Sequence, residues 1–180
     1  MVFPTHRLVR DVAGFDVQKT LDLLSGDFDV EQVVASGDLS QQIEQKLTEN
    51  AEEKVFAMYT GGNAYYLLRL KNIGAARRAN PNKSEAYQGL DVTILHTLIL
   101  SRAFGIDMEN MKNQRNLVYT RDAKEAEEAV SKGEFQCAFF LNPTKIDEIK
   151  EVSLANEKMP QKSTYFYPKL ITGLVMNKFM

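Results

Sequence analysis

Apolar positions along the chain fall into alternating helical and extended patterns. Leu39, Ile43 and Leu47 recur every four residues with polar residues between them, which predicts an amphipathic helix. Val17, Leu21 and Leu24 share one helical face over residues 15–24. Extended runs lie around these helices: Val2, Phe3, Leu8 and Val9 at the start, then Phe28–Val34. Residues 54–59 and Ala64–Leu70 flank Thr60-Gly61-Gly62-Asn63. Glycine and asparagine tolerate positive φ, so a β-hairpin is expected there. A strand that begins at the second residue reads either as the start of a piece cut from something longer or as a first strand tied into a sheet.

Further along, Asp91 is expected to cap a helix over residues 92–104, with Gly105 as its stop. Ile94, Leu95, Leu98 and Ile99 form its predicted buried face, and Thr93, His96, Thr97 and Leu100 a more polar one. In the last third, Leu117–Thr120 reads as a short strand. Asp122 with Glu125 resembles a capping box, and Ala126, Ala129 and Val130 make a helical stripe that Gly133 ends. Residues 135–141 (FQCAFFL) are almost wholly apolar and suit a strand buried on both faces. Strand, helix and strand together predict a right-handed parallel βαβ unit. Thr144 is expected to cap a further helix carrying Ile146, Ile149 and Val152, with Pro143 at its N-terminal edge, and residues 171–177 to form a last strand. The fold class expected is α+β (mixed α/β): a mixed sheet with a hairpin in the first half, a parallel βαβ unit in the last third, and helices packed on the sheet. The 180 residues suit a single domain, with a division into lobes 1–72 and 85–180 left open.

Composition narrows the function classes. Lys and Arg number 22 against 24 Asp and Glu, a net charge of -2, which argues against a protein that coats nucleic acid. The single cysteine, Cys137, excludes an internal disulfide, and with only His6 and His96 beside it no metal site is expected. The start lacks the apolar core of a signal peptide, and the apolar region near residues 92–100 is too short and polar to span a bilayer, so a cytoplasmic, soluble protein without membrane contact is expected.

Candidate chemistry gathers at two places. In a parallel βαβ unit the loops leaving both strands lie on one edge of the sheet, where ligands bind in open α/β sheets. Those loops are Thr120-Arg121-Asp122 and Leu141-Asn142-Pro143-Thr144. Each feeds a helix N-terminus suited to an anion, and Arg121 adds a guanidinium for phosphate or carboxylate. Asp122 and Thr144 are equally ordinary caps. The second place is Met159-Pro160-Gln161-Lys162-Ser163-Thr164-Tyr165-Phe166-Tyr167-Pro168-Lys169. Its lysines and hydroxyls suit phosphate oxygens and its rings suit a base, although alternating aromatics also mark a half-buried strand. There is no Gly-rich Walker loop. The basic stretch 69–84, holding Arg69, Lys71, Arg77, Arg78 and Lys83, reads as a solvated loop or frayed helix, with a phosphate or nucleic-acid contact as the weaker alternative. Cys137, inside a buried strand, reads as packing rather than a nucleophile.

Four segments together resemble one family: Pro4-Thr5-His6-Arg7, Leu90-Asp91-Val92-Thr93-Ile94-Leu95-His96, Phe140-Leu141-Asn142-Pro143-Thr144, and the stretch from Met159 to Leu170. They are similar, in order and spacing, to the prokaryotic family known as domain of unknown function 1015. The likeness runs over almost the whole chain. It implies the C-terminal half of a two-part protein whose missing N-terminal half carries an Asp-Gly-His-His-Arg-type motif and resembles the ParB/sulfiredoxin-like superfamily, some distant members of which phosphorylate free serine or hydrolyse nucleotides. This chain lacks that motif. The resemblance therefore implies a part of a small-molecule enzyme that binds a phosphorylated ligand or nucleotide, with kinase-like phosphoryl transfer in view, incomplete on its own. The rival is a structural or regulatory module that docks onto the other half. The resemblance puts His6, Arg7, Asp91 and His96 first among ligand-binding candidates, and Asn142, Thr144, Lys162, Ser163, Thr164, Tyr165, Tyr167 and Lys169 second. No catalytic role follows for any of them.

Overall fold

The computed structural model describes residues 2–168. Lys169 and the strand expected over residues 171–177 lie outside that range. Six strands make the main sheet: β2 (His6–Val9), β3 (Phe28–Val34), β4 (Val55–Tyr59), β5 (Ala64–Leu70), β6 (Leu117–Thr120) and β7 (Cys137–Phe140). Their spatial order is β3-β5-β4-β7-β2-β6, and every adjacent pair is antiparallel. Strand β1 (Val2–Phe3) pairs with β8 (Tyr165–Phe166) in a separate two-stranded ribbon. The mixed α/β class and the hairpin are as expected. At the hairpin tip Gly61 and Gly62 take φ of 99° and 81°, a region closed to most L-residues.

The βαβ expectation needs correction. β6, α8 (Ala123–Ser131) and β7 are present, and β6 and β7 do run parallel, but they are not neighbours: β2 is inserted between them, antiparallel to both. The insertion keeps the edge on which ligand chemistry was expected. The carboxyl ends of β6 and β7 still share a rim, and the antiparallel β2 brings its amino end, His6 opposite Thr120, to that same rim.

Side-chain alternation along the strands makes two cores. Val9, Phe56, Met58, Leu68, Leu117, Cys137 and Phe139 face one way, against α1 (Val17–Leu24) and the helix beginning at Asp91. Leu8, Ala57, Tyr65, Leu67, Ala138 and Phe140 face the other, against α2 (Leu39–Glu49) and α8. The stretch 69–84, expected as loop or frayed helix, holds the end of β5 and the short helix α3 (Gly74–Ala79), and α4 (Glu85–Gln88) follows it. Four of its cations pair with carboxylates elsewhere: Arg69 with Glu53, Lys71 with Asp29, Arg77 with Glu85 and Lys83 with Glu157.

The helix from Asp91 departs most from its sequence pattern. It runs through α5 (Asp91–Ile94), a π-helical segment Leu95–Ser101 and α6 (Arg102–Phe104), ending at Gly105 with φ 65°. The face expected to be polar is interior, since Thr93, His96 and Leu100 are all buried. Wider π turns place extra residues on each face and recur at functional sites. Among the described residues no helix is long and apolar enough to cross a membrane.

Cys137 is fully buried, and loss of solvation pushes its thiol well above the usual range. We expect Ellman's reagent at pH 8 to leave the folded chain unmodified and to titrate one thiol after denaturation in guanidinium. Rapid reaction of the folded chain would contradict the placement of β7.

Candidate functional site

Arg7 and His6 are consecutive on β2, so they point to opposite faces of the sheet at the rim. Arg7 faces the π-helical side and is wholly buried. Its Nη1 donates to Thr5 O, its Nη2 donates to Lys162 O at 3.1 Å, and Nη2 lies 3.3 Å from His96 Nε2. The guanidinium carbon sits 5.2 Å from the centre of the Tyr119 ring, its cross-strand partner in register. Among the described residues no carboxylate pairs with it, and its Nε finds no acceptor. Burial lowers the Arg7 pKa to about 10, still high enough for full charge at neutral pH. That buried charge acts on both histidines. Desolvation, then the Arg7 charge, lowers His96 to about 3 and His6 to about 4, with Asp122 opposing in the case of His6. Both imidazoles are neutral at pH 7.

Residues 159–168 pass over this face as a strap. Lys162 adopts a left-handed backbone, φ 54°, and its carbonyl accepts the Arg7 bond. A charge-assisted bond of this kind offsets the ~1–2 kcal/mol such a conformation costs. Thr144 Oγ1 donates to Ser163 O at 2.8 Å. Tyr165 joins β1 through the ribbon, and the Arg121 guanidinium lies 4.1 Å from its ring centre. Lys162 Nζ lies 5.9 Å from the Tyr119 ring centre. Direct contacts thereby join Arg7, His96, Tyr119 and Lys162, and Thr144 with Ser163 on the same strap, while Arg121 and Tyr165 form a separate stacked pair. Tyr119, which joins Arg7 to Lys162, was missed in the sequence. Its signal was there: it alternates with buried Leu117 on a strand next to β2.

Other expectations are corrected. Thr144 does not cap α9 (Ile146–Leu154): Lys145 holds the cap position, and its N–H donates to Glu148 at 2.9 Å. The amides at the start of α8 are not open to a guest, because Asp122 accepts from Lys124 and Glu125 N–H at 2.8 and 3.1 Å. Asp91 is the first helical residue rather than the cap, and its carboxylate accepts from Lys54 Nζ at 2.8 Å, which also reaches Glu148 at 3.1 Å. It stands apart from the Arg7 cluster. Asn142 donates to Leu47 O at 2.8 Å and so faces α2. Thr164 is partly buried, and Tyr167 is exposed with its ring edge-on to Phe3.

On the opposite face His6 is buried against Phe140, ring centres 5.0 Å apart, and neither ring nitrogen has a hydrogen-bond partner. It helps line a hollow of about 220 Å³ with Pro4, Glu44, Thr48, Leu141 and Asn142. A wider hollow of about 620 Å³ adjoins it, sharing Pro4 and Glu44 and reaching Asp38, Arg121, Asp122 and Lys124. Burial, then the charges of Asp122 and Asp38, raises the Glu44 pKa. Among the described residues no group of three or more His, Cys, Asp or Glu is placed to hold a metal ion.

The depressed histidines fix a pH dependence. Between about pH 4 and 6.5 the unfolded chain binds protons that the folded chain refuses, so stability is complete above about 6.5 and falls as the pH falls through this window. The slope should approach ~1.4 kcal/mol per pH unit for each histidine. Urea midpoints should drop between pH 7 and 4.5, and His96→Gln should remove roughly half of the loss; a flat profile would mean the histidines are charged. Lys54→Met should cost about 2–3 kcal/mol by leaving Asp91 and Glu148 facing each other, with Lys54→Met/Asp91→Leu recovering most of it. A change under about 0.5 kcal/mol for the single variant would show the triad to be solvent-screened.

No curated protein matches the chain. Solved structures to which the chain is similar include a free serine kinase in complex with AMP (16% identity, 91% of this chain and 52% of that one, TM-score 0.49). A conserved hypothetical protein from Pyrococcus furiosus is similar at 15% identity, covering 91% of this chain and 54% of its own, TM-score 0.49. The chain thus spans about half the length of these solved proteins. A family model described as Protein of unknown function (DUF1015) matches residues 1–93. That span is the N-terminal part of this chain; it neither runs over almost all of it nor marks it as a C-terminal half, and it stops well before the segment from Met159 on which the resemblance leaned most. It does take in β2, whose His6 and Arg7 organise the rim, and covers more than half of the 180 residues, and the chain belongs to the family of unknown function DUF1015.

Proposed function

We propose that this chain is the ligand-holding part of a small-molecule enzyme and that its rim binds a phosphorylated compound, a nucleotide included, for kinase-like phosphoryl transfer. One observation carries the reading. Arg7, Arg121 and Lys162 sit at one rim on two tyrosine rings, and among the described residues none of them pairs with a carboxylate. The cations of the basic stretch differ, being mostly paired. Exposed Arg121 offers a bidentate fork to phosphate and Lys162 a mobile point charge, while buried Arg7 adds a fixed positive field behind them. In phosphoryl transfer, catalysis is mostly positioning and charge stabilisation, which these groups suit. Residues that activate a nucleophile come from elsewhere in the working protein.

A second reading has its own support. Arg7 and Thr144 both spend hydrogen bonds on strap carbonyls, Lys162 O and Ser163 O, which is stitching and not ligand capture. On that reading the chain is a structural or regulatory module docked on a complementary half.

Amide shifts of the chain titrated with inorganic phosphate, ADP, ATP and phosphoserine separate the two. Ligand binding predicts saturable shifts around Arg121 and residues 162–165, weakened at least fivefold by Arg121→Ala or Lys162→Ala with unchanged urea midpoints. Stitching predicts no saturable shift, with Lys162→Ala and Tyr165→Ala lowering stability; that result would remove the ligand reading.

A further inference from the structure

The His6 face of the rim has a chemistry opposite to that of the Arg7 face, and it stands independently of the anion reading. Both His6 ring nitrogens are buried without a partner, although the ring is neutral and carries one acceptor lone pair. Native proteins seldom leave such atoms unsatisfied, because each costs about 1–3 kcal/mol. The hollow beside them is rimmed by Glu44, whose carboxylate, among the described residues, has neither ion pair nor hydrogen bond. Asp38 and Asp122 add negative charge from the adjoining hollow. The cation closest in kind, Lys124, is engaged with Glu127 at 3.1 Å and Asp38 at 3.6 Å. Arg121 is stacked on Tyr165. The remaining walls mix apolar Pro4, Leu47, Leu141 and Pro143 with polar Thr48 and Asn142.

We propose that this hollow, between the start of β2, α2 and the exit of β7, is a subsite for a primary ammonium group on a short apolar stem, held by the Glu44 carboxylate and the unprotonated nitrogen of His6. The chemistry selects that class. An ammonium has three donors and no acceptor, and the site offers acceptors with net negative charge. A metal ion lacks the third ligand here. Inside the smaller hollow a carboxylate or phosphate would face Glu44 with no cation in the lining, since Arg121 and Lys124 line the adjoining hollow instead. A volume of about 220 Å³ admits a two- or three-carbon stem but no ring system of nucleoside size.

The test uses the full chain at pH 7.5 and constant ionic strength, with ethylammonium as the probe, ethanol as its neutral isostere and potassium as a plain cation. Amide and imidazole resonances of His6, Glu44 and Asn142 should shift saturably with ethylammonium and at least fivefold more weakly with ethanol or potassium. Glu44→Gln lies on an exposed turn of α2 and should fold normally. It should weaken the ethylammonium response at least tenfold while leaving any phosphate response at Lys162 untouched. His6→Phe should weaken it as well. Equal responses to ethanol or potassium, or a response that survives Glu44→Gln, would overturn the proposal. Failure of phosphate to bind leaves this result standing, so the two proposals fall separately.

Discussion

A fully buried guanidinium without a counter-ion is the constraint around which the rim is arranged. Its pKa, lowered from 12.5 to about 10, corresponds to about 3 kcal/mol of disfavoured charging. The fold makes it tolerable with groups that carry no formal charge: two backbone carbonyls, a neutral imidazole and the face of Tyr119. Each has a structural consequence. The Lys162 carbonyl accepts from Arg7 while Lys162 itself holds a left-handed backbone. His96 can offer an acceptor only while unprotonated, and the Arg7 charge itself helps keep it so. The π-helical segment Leu95–Ser101 carries His96, buried, to this strand end.

The inserted strand explains how two chemistries meet at one edge. With β2 between β6 and β7, the amino end of one strand and the carboxyl ends of two others share a rim. The pleat then sends His6 and Arg7 to opposite sides of the sheet, a strand's thickness apart. One side gathers cations on aromatic rings. The other sets Glu44 and His6 around a hollow of mixed polar and apolar lining. A simple parallel βαβ unit has no such strand, and its rim would have carried only the two βα loops.

Local periodicity made the helices α1, α2 and α8 and the β4–β5 hairpin legible, because their apolar stripes and turn residues act over a few positions. Non-local pairing left no such trace. Nothing near residues 117–140 signals that a strand from the other end of the chain lies between β6 and β7. Asp91 looked like a cap because its partner, Lys54, lies 37 positions away. Thr144 looked like a cap for the same reason, its real acceptor being Ser163 O, 19 positions on. Residue type and family likeness point to Arg7, His96 and Lys162, which the structure joins, and to Arg121, which stacks on Tyr165 instead. Asn142 and Asp91 were picked on the same grounds and are not joined to them. The helix N-termini were expected to hold an anion, yet Asp122 and Glu148 already occupy the donors near them. What remains for an anion is side-chain charge.

That replacement changes what kind of binding the rim can perform. Amides at a helix start are fixed in direction and impose a geometry on the guest. Arg121 and Lys162 are on long, exposed stems and impose little. The buried Arg7 supplies what they lack, a charge that cannot move. Two unit charges about 6 Å apart interact by about 3 kcal/mol at an effective dielectric near 20, so a guanidinium held behind the strap can bias an anion's position without touching it. Its influence depends on the strap staying closed, since water reaching Arg7 would screen it. The hydrogen bond from Arg7 to Lys162 O therefore links the two functions that the rim has been assigned: it fastens the strap, and it keeps dry the charge that makes the strap's outer surface attractive to an anion.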